Sequence, residues 1–334
     1  MICRSRAPER SLSSRQVCAM IRLDRAVRGG EEMKVLLATD GSAYSEVAAA
    51  FLAGLRLTPD DEIIVLHVVS GSPYPDERES YYVSLGYFKE KIAPRILDSA
   101  VAALKSVEAR ISTALVNGLP DRAIIDSAVE SGTDLIVVGA RGIKGLKSLF
   151  IGSVTRAVAT DSPIPVLVTK PILSERPGRM KVLFATDGSA PALATAELLS
   201  SIPFPEETEL LIMNVVRSAV SDIPERFVME IDDKIKEEVA RARKAEFERS
   251  SEIIEQARQH LEGRFQKIEG LSKVGDPSIE ILHAAGIFGA DLIALGCRGL
   301  RGIKGMMGSV SRRILDHSQC PVLVGKSHER QSQA

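Results

Sequence analysis

The residues of this chain best placed to do chemistry form a sparse glycine pattern: Gly139-Ala140-Arg141-Gly142, nine more residues, then Gly152-Ser153. Glycine lets the backbone adopt positive φ and come close to a ligand. Gly152, Ser153 and Val154 open a segment that reads as a helix. The first N–H groups of a helix have no intrahelical acceptor and lie at the positive end of its dipole, which makes an anion site. Ser153 adds a hydroxyl donor, and Arg141 and Lys144 add positive charge. Phosphate is the ligand class that such parts suit. Two familiar phosphate loops are excluded. Neither glycine loop of the chain contains the Gly-Lys-Ser or Gly-Lys-Thr of a Walker A loop, and the first strand ends in Asp40-Gly41-Ser42, with one glycine where a dinucleotide fingerprint needs three.

A second copy reads Gly296-Cys297-Arg298-Gly299, eight residues, then Gly308-Ser309. The string RGIKG stands in both loops, at 141–145 and 301–305, but the surrounding register pairs Arg141 with Arg298, not Arg301. One residue is missing from the second copy. A deletion inside the helix would rotate the following side chains by about 100°; one inside the loop could be absorbed by Gly302 and Gly305. The expectation is a competent first site and a weakened or altered second one.

Other reactive residues carry less. His67 sits in an apolar strand and reads as a core or edge histidine. His260, His283, His317 and His328 form no metal-ligand spacing. Cys297 reads as a small residue at a tight turn, and the four cysteines form no CxxC pair. No catalytic residue is assigned, and no metal is assigned to protein side chains.

The elements that must position the loops come from a duplication. MKVLLATDGSA at Met33 returns as MKVLFATDGSA at Met180; Asp134-LIVVGARG returns as Asp291-LIALGCRG, Gly152-SVTRAV as Gly308-SVSRRI, and IPVLVTK as CPVLVGK. The order is kept, so a whole domain is repeated. In each half short apolar runs alternate with helical periodicity. Strands are predicted at 34–39, 62–69, 111–117, 134–138 and 164–169. The intervening helices run to Leu55, to about Glu108, over 119–131 and over 152–160. The second half predicts strands at 181–186, 208–216, 265–274, 291–295 and 321–325. Its helices are 191–201, 227–262, 277–288 and 309–318, with Ile231, Ile235, Val239 and Ala242 as the apolar stripe of the longest. Continuous apolar strands suit a parallel sheet covered on both faces. The fold class is α/β: two doubly wound domains, each a five-stranded parallel sheet with helices on both faces. Ligands in such sheets bind beyond the carboxyl ends of strands, where strand order reverses. The domains are read as 33–170 and 180–326, joined by a Pro- and Gly-containing linker at 171–179, with a tail at 327–334. Residues 1–32 are Arg-rich and aperiodic; they read as a disordered or over-extended start, with Met33 as the true first residue.

Composition excludes several classes. A net charge of −1 argues against bulk attraction to nucleic acid or an anionic membrane, and aromatics at 4% without Trp argue against stacking platforms for single strands. No apolar run approaches a membrane span. The cysteine pattern fits a reducing cytoplasm.

With TDGS after strand one in both halves, LHVV ending strand two and Gly-x-x-Gly-x9-Gly-Ser in the first and their altered copies in the second, each half resembles a universal stress protein domain. The resemblance covers nearly all of the chain beyond the first 32 residues. It implies an adenine-nucleotide-binding protein of stress response or signalling with little or no turnover. The nucleotide would be ATP, or AMP or ADP, with Mg²⁺ held through phosphates. Ala38, Asp40 and Val68 would hold adenosine; Gly139 would lie by the ribose and Gly142 by the phosphates, beside Arg141. Gly152, Ser153, Val154 and Thr155 would grip phosphate. The matching second set is Asp187, Val215, Gly296, Arg298, Gly299, Gly308, Ser309, Val310 and Ser311. The resemblance also implies a pseudo-dimer of the two halves through their last strands. It leaves room for a homodimer of whole chains and a regulatory protein partner. A slow ATPase or nucleotidyl-transfer relative, and a scaffold with degenerate sites, stand as alternatives.

Overall fold

The computed structural model describes residues 32–70, 86–87, 90–142, 151–171, 179–217, 233–299 and 307–327. Residues 1–31 of the extension before Met33, Lys144, most of the first RGIKG string and all of the second, most of the linker and the tail beyond 327 lie outside the described residues.

The first half runs β1 (Lys34–Ala38), α1 (Ala43–Ala53), β2 (Glu62–Val69), α2 (Ala93–Ala103), β3 (Arg110–Asn117), α3 (Pro120–Glu130), β4 (Leu135–Gly139), α4 (Ser153–Asp161), β5 (Val166–Thr169). The second runs β6 (Arg179–Ala185), α5 (Ala190–Ser201), β7 (Glu207–Val216), α6 (Asp233–Leu261), β8 (Lys267–Val274), α7 (Pro277–Phe288), β9 (Leu292–Gly296), α8 (Ser309–His317), β10 (Val322–Gly325). β6 takes in Arg179, the last residue of the expected linker. α2 ends at Ala103, short of the expected Glu108; its C-cap, the fully buried Leu104, has left helical geometry (φ −96°, ψ 10°).

All strands form one sheet in the order β3-β2-β1-β4-β5-β10-β9-β6-β7-β8. Pairing is parallel within each half; β1 lies between β2 and β4, with Leu36 opposite both Ile64 and Ile136. Strand order therefore reverses at β1/β4 and, by the same topology, at β6/β9. Side chains alternate across the sheet. Val35 and Leu37 enter the core under α1 and α2, while Leu36 enters the opposite core with Ile136 and Val158. Such a fully buried leucine, cut to alanine, costs about 2–5 kcal/mol. Two aspartates set where the switch-point strands begin: Asp134 accepts from the Lys34 N–H at 2.8 Å, and Asp291 from the Lys181 N–H at 2.8 Å.

Of the predicted stripe on the long helix, Ile231 and the Ile235 side chain lie outside what is described, and the other two do not enter the core. Val239 is half-buried and Ala242 exposed; the side chains that enter the core are Ile254, Ala257 and Leu261. At about 1.5 Å per residue a 29-residue helix is far longer than the strands it crosses. Its C-terminal third therefore does the packing.

The halves meet through their last strands, as a pseudo-dimer. β5 and β10 pair antiparallel, with Leu167 opposite Leu323. Two buried lysines cross the joint. Lys170 Nζ donates to the carbonyls of Leu315 (2.9 Å) and Ser318 (2.6 Å). Lys326 Nζ donates to those of Ala159 (2.7 Å) and Thr160 (3.2 Å). Each lysine thus satisfies carbonyls at the end of the other domain's last helix. Arg156 adds a two-pronged bond to Asp316, at 3.1 and 2.6 Å. The Arg56 N–H donates to the Pro203 carbonyl at 2.7 Å. These two residues are register mates, and the reciprocal bond cannot form because proline has no N–H.

Candidate functional site

The Thr-Asp-Gly-Ser turn after β1 is built around Gly41, whose φ of +76° suits glycine. Ser42 caps α1, its side chain accepting from the Ser45 N–H at 3.4 Å. Asp40 is not the cap. Its Oδ1 accepts from the Ser42 N–H at 3.0 Å, an Asx turn, and its Oδ2 faces Gly142 so closely that a Cβ there would lie 2.5 Å away. Asp187 repeats this, accepting from Ser189 N–H at 3.1 Å, with Gly299 at the same 2.5 Å. The predicted aspartate and loop glycine of each half therefore meet at the switch point.

Gly139 must be glycine for a different reason: a Cβ would lie 2.7 Å from the Tyr44 backbone. The loop then closes on the helix start. Gly152 N–H donates to Ala140 O at 2.9 Å, and Thr155 Oγ1 donates to Gly139 O at 2.7 Å. Thr155 is buried, so its hydroxyl ties the loop down and its contribution to an anion site is its backbone N–H. Ser153 is exposed and Gly152 half-buried.

No side chain caps α4 or α8. The other helices with described caps begin either with a side-chain cap (α1, α7) or with a proline in the first turn, which removes a donor (α2, α3, α5, α7). α4 and α8 have neither device, so the N–H groups of Ser153, Val154 and Thr155, and of Ser309, Val310 and Ser311, are open to an outside acceptor; α2, α3 and α5, also without a side-chain cap, lose one such donor to proline.

The second site keeps the register of the first. Gly308 N–H donates to Cys297 O at 2.8 Å and Ser311 Oγ to Gly296 O at 2.7 Å. The N-cap angles agree within 2° (−62°, 152° against −64°, 154°). Ile151 and Met307, which precede the two caps, are both buried. The missing residue therefore falls among 143–150 and 300–306, outside the described residues. Rotation of the helix, one ground for expecting a weaker second site, does not occur.

The walls do differ. Tyr44 stands beside the first site, where the Arg141 guanidinium lies 5.5 Å from its ring centre and donates to its hydroxyl at 3.2 Å. Its register mate is Pro191. Ala38, Tyr44 and Val68 are partly buried against the core and form an apolar flank; Val215 is the half-buried counterpart of Val68.

His67 is buried, and its Nδ1 lies 2.8 Å from Thr39 O, which makes Nδ1 the protonated nitrogen. Its mate Asn214 makes the same bond from Nδ2 to Thr186 O at 2.8 Å. The two side chains share a job in holding the end of the first strand. Among the described residues no group of three or more His, Cys, Asp or Glu could hold a metal ion. No described helix is long and apolar enough to cross a membrane.

The model of the universal stress protein family matches residues 33–170 and again 178–326. The chain belongs to the universal stress protein family. A universal stress protein of Thermus aquaticus is 32% identical over 141 residues, which is 41% of this chain and 97% of the relative. Universal stress protein YxiE of Bacillus subtilis is 32% identical over 154 residues, 43% of this chain and 97% of the relative. Each of these relatives spans about one half of this chain. The crystal structure of a universal stress protein from Archaeoglobus fulgidus aligns with 88% of this chain and 96% of that one, at 23% identity and a TM-score of 0.59, and shares the fold.

Sequence reasoning about this universal stress protein missed Tyr44, Lys170 and Lys326. The lysines were visible as the shared last letter of the repeated VLVTK and VLVGK strings. Burial holds the Lys170 ammonium down to about 8, and the charge of Arg141 acts in the same direction, against Cys320 and Asp316. Burial likewise lowers Lys326, with Arg298 adding to it and Cys297 and Asp161 opposing. Each crossing lysine is thus within electrostatic reach of the arginine of its own domain's site.

Proposed function

We propose that this universal stress protein binds adenine nucleotide at the switch point of each domain and acts by occupancy, with little or no turnover. The uncapped starts of α4 and α8 carry the reading. Each points first-turn N–H groups at a crevice edged by a close aspartate–glycine pair, an arrangement that suits phosphates. Ala38, Tyr44 and Val68 supply an apolar flank of the kind a flat base needs, and Asp40 lies between base and phosphates, within reach of ribose hydroxyls. A divalent ion in this reading is held by phosphate oxygens and water. Domain boundaries at 33–170 and 180–326, a cytoplasmic location, a homodimer of whole chains and a regulatory protein partner belong to the same reading.

Titration calorimetry with ATP and AMP, with and without Mg²⁺, tests it. Gly142→Val with Ser153→Ala places a side chain against Asp40 and should weaken the first site by about 100-fold or more, as expected when a phosphate cradle is filled. Gly299→Val with Ser309→Ala should do the same to the second. Wild type that takes up no adenine nucleotide in the presence of Mg²⁺ overturns the reading. Phosphate release well above one turnover per minute would replace it with an ATPase.

A further inference from the structure

We propose that the two crevices are coupled, because the lysine after each domain's last strand, next to a residue bonded to that domain's site loop, grips the helix that forms the other domain's phosphate site. The inference rests on the anion-binding reading of α4 and α8. Starting in the first crevice, Gly152 N–H donates to Ala140 O, and Ala140 N–H donates to Thr169 O at 2.9 Å. The next residue is Lys170, whose ammonium holds the carbonyls of Leu315 and Ser318 at the end of α8. α8 begins at the second crevice, nine residues earlier. The return path has the same parts. Gly308 N–H donates to Cys297 O and Cys297 N–H to Gly325 O, each at 2.8 Å. Lys326 follows and holds the Ala159 and Thr160 carbonyls at the end of α4, whose start lies in the first crevice.

The sign follows from charge. Each helix is about 13 Å long. An anion at its start and a cation at its end attract each other along the helix and both favour its ordered form, so each makes the other more favourable. Phosphate beside Arg141 offsets the positive charge that acts on Lys170 and favours the ammonium form. The stronger ammonium grip steadies α8 and favours an anion at α8's start. The pseudo-symmetric path through Arg298, Lys326 and α4 works back, as linkage requires. A dry joint keeps these interactions from being screened: Lys170 and Lys326 are both buried, and Leu315, Ala159, Leu167 and Leu323 around them are nearly inaccessible.

Hydrogen exchange on the full chain tests the coupling. The second crevice is disabled by Gly299→Val with Ser309→Ala, and Mg-ATP is added to occupy only the first. Amides at the end of α8, read in a peptide over residues 312–320, should exchange at least threefold more slowly. With Lys170→Met added, that protection should vanish while the heat of ATP binding at the first site persists. In the chain with both sites intact, disabling the first should weaken ATP at the second by about threefold or more, and Lys170→Met with Lys326→Met should erase that dependence. ATP binding that leaves exchange at 312–320 unchanged overturns the coupling and spares the nucleotide reading, and this arm needs no lysine variant to fold. Protection that survives Lys170→Met overturns the lysine path. No binding heat at all removes the nucleotide reading and the coupling with it.

Discussion

In the first crevice Gly152 hangs from Ala140 and Thr155 from Gly139; in the second Gly308 hangs from Cys297 and Ser311 from Gly296, at distances that agree within 0.1 Å. Around this shared main-chain frame the side chains have parted. Tyr44 corresponds to Pro191 and Ala140 to Cys297, so the aromatic ring beside Arg141 is replaced by a proline at the matching position. The same split runs through the joint. The lysine bonds are reciprocal, whereas Arg156–Asp316 is made once, since the mates of those residues are Arg312 and Thr160. Bonds made by backbone, small hydroxyls and a strand-ending lysine have kept the pseudo-symmetry, and longer side chains have specialised.

The largest effect that sharpens this comparison concerns the sheet under α5. A Cβ on Gly325 would lie 2.0 Å from Thr195 Oγ1. The first half holds the opposite pair, Thr169 in the strand and Ala48 in the helix, both fully buried. Gly325→Ala should therefore cost about 3 kcal/mol in chemical denaturation, as overpacking does, and Thr195→Ala should restore most of it. A Gly325→Ala protein as stable as wild type would mean that the halves do not exchange volume in this way.

Next comes pH. Lys170 titrates near 8 in the folded chain against an ordinary 10.5. Its folded value is the lower one, so between those values the unfolded chain holds more protons and stability rises with pH. Relative to Lys170→Met, wild type should gain on the order of 2 kcal/mol between pH 7 and 9.5. The charged groups acting on this lysine are Cys320, Asp316 and Arg141. Burial also raises the Cys320 thiol, so over most of the window the lysine is the group that changes. The same measurement on Lys326→Met should show a difference of the same sign; a flat one would mean that only half of the joint is dry.

Smaller again is the bond made once. Arg156→Ala should lower stability by about 1–2 kcal/mol, because Asp316 is left mostly buried. Arg312→Ala, its exposed mate, should stay within about 0.5 kcal/mol of wild type. Equal losses would erase the asymmetry of the joint. The smallest effect is at Tyr44. Tyr44→Ala removes a ring and a hydroxyl from Arg141 and should weaken ATP at the first site about 3- to 10-fold, the range of a partly desolvated cation–π contact. Pro191→Ala should leave the second site unchanged in the same calorimetry.

Local signals carried most of the fold. β4 was read at 134–138 and lies at 135–139, because a run of apolar residues after an aspartate has few other readings in a parallel sheet. That Asp40 and the glycine loop both stand at carboxyl ends of strands was legible in the alternation of elements; that Asp40 touches Gly142 was not. What escaped was long-range. Nothing near Lys170 in sequence says that it will find carbonyls 145 and 148 residues away. Val239 and Ala242 of the expected α6 stripe miss the core for a related reason: periodicity marks a face, but only the sheet's width decides which part of a long helix is covered. Helix phase after the missing residue was undecidable until Gly308 was seen on the Cys297 carbonyl.

The proline at the joint has a consequence for heredity. When two identical chains pair, every substitution appears on both sides of the axis, and a bond such as Arg56 to Pro203 cannot arise without its own mirror image. Here one polypeptide carries both sides. A change on one side of the axis can be answered on the other side alone, as Arg156 is answered by Asp316. Such answers also bind the halves to each other. A first domain copied into the second place would put a threonine where Asp316 stands and leave Arg156 without its partner, and the duplication that made the two halves alike is now held apart by their fit.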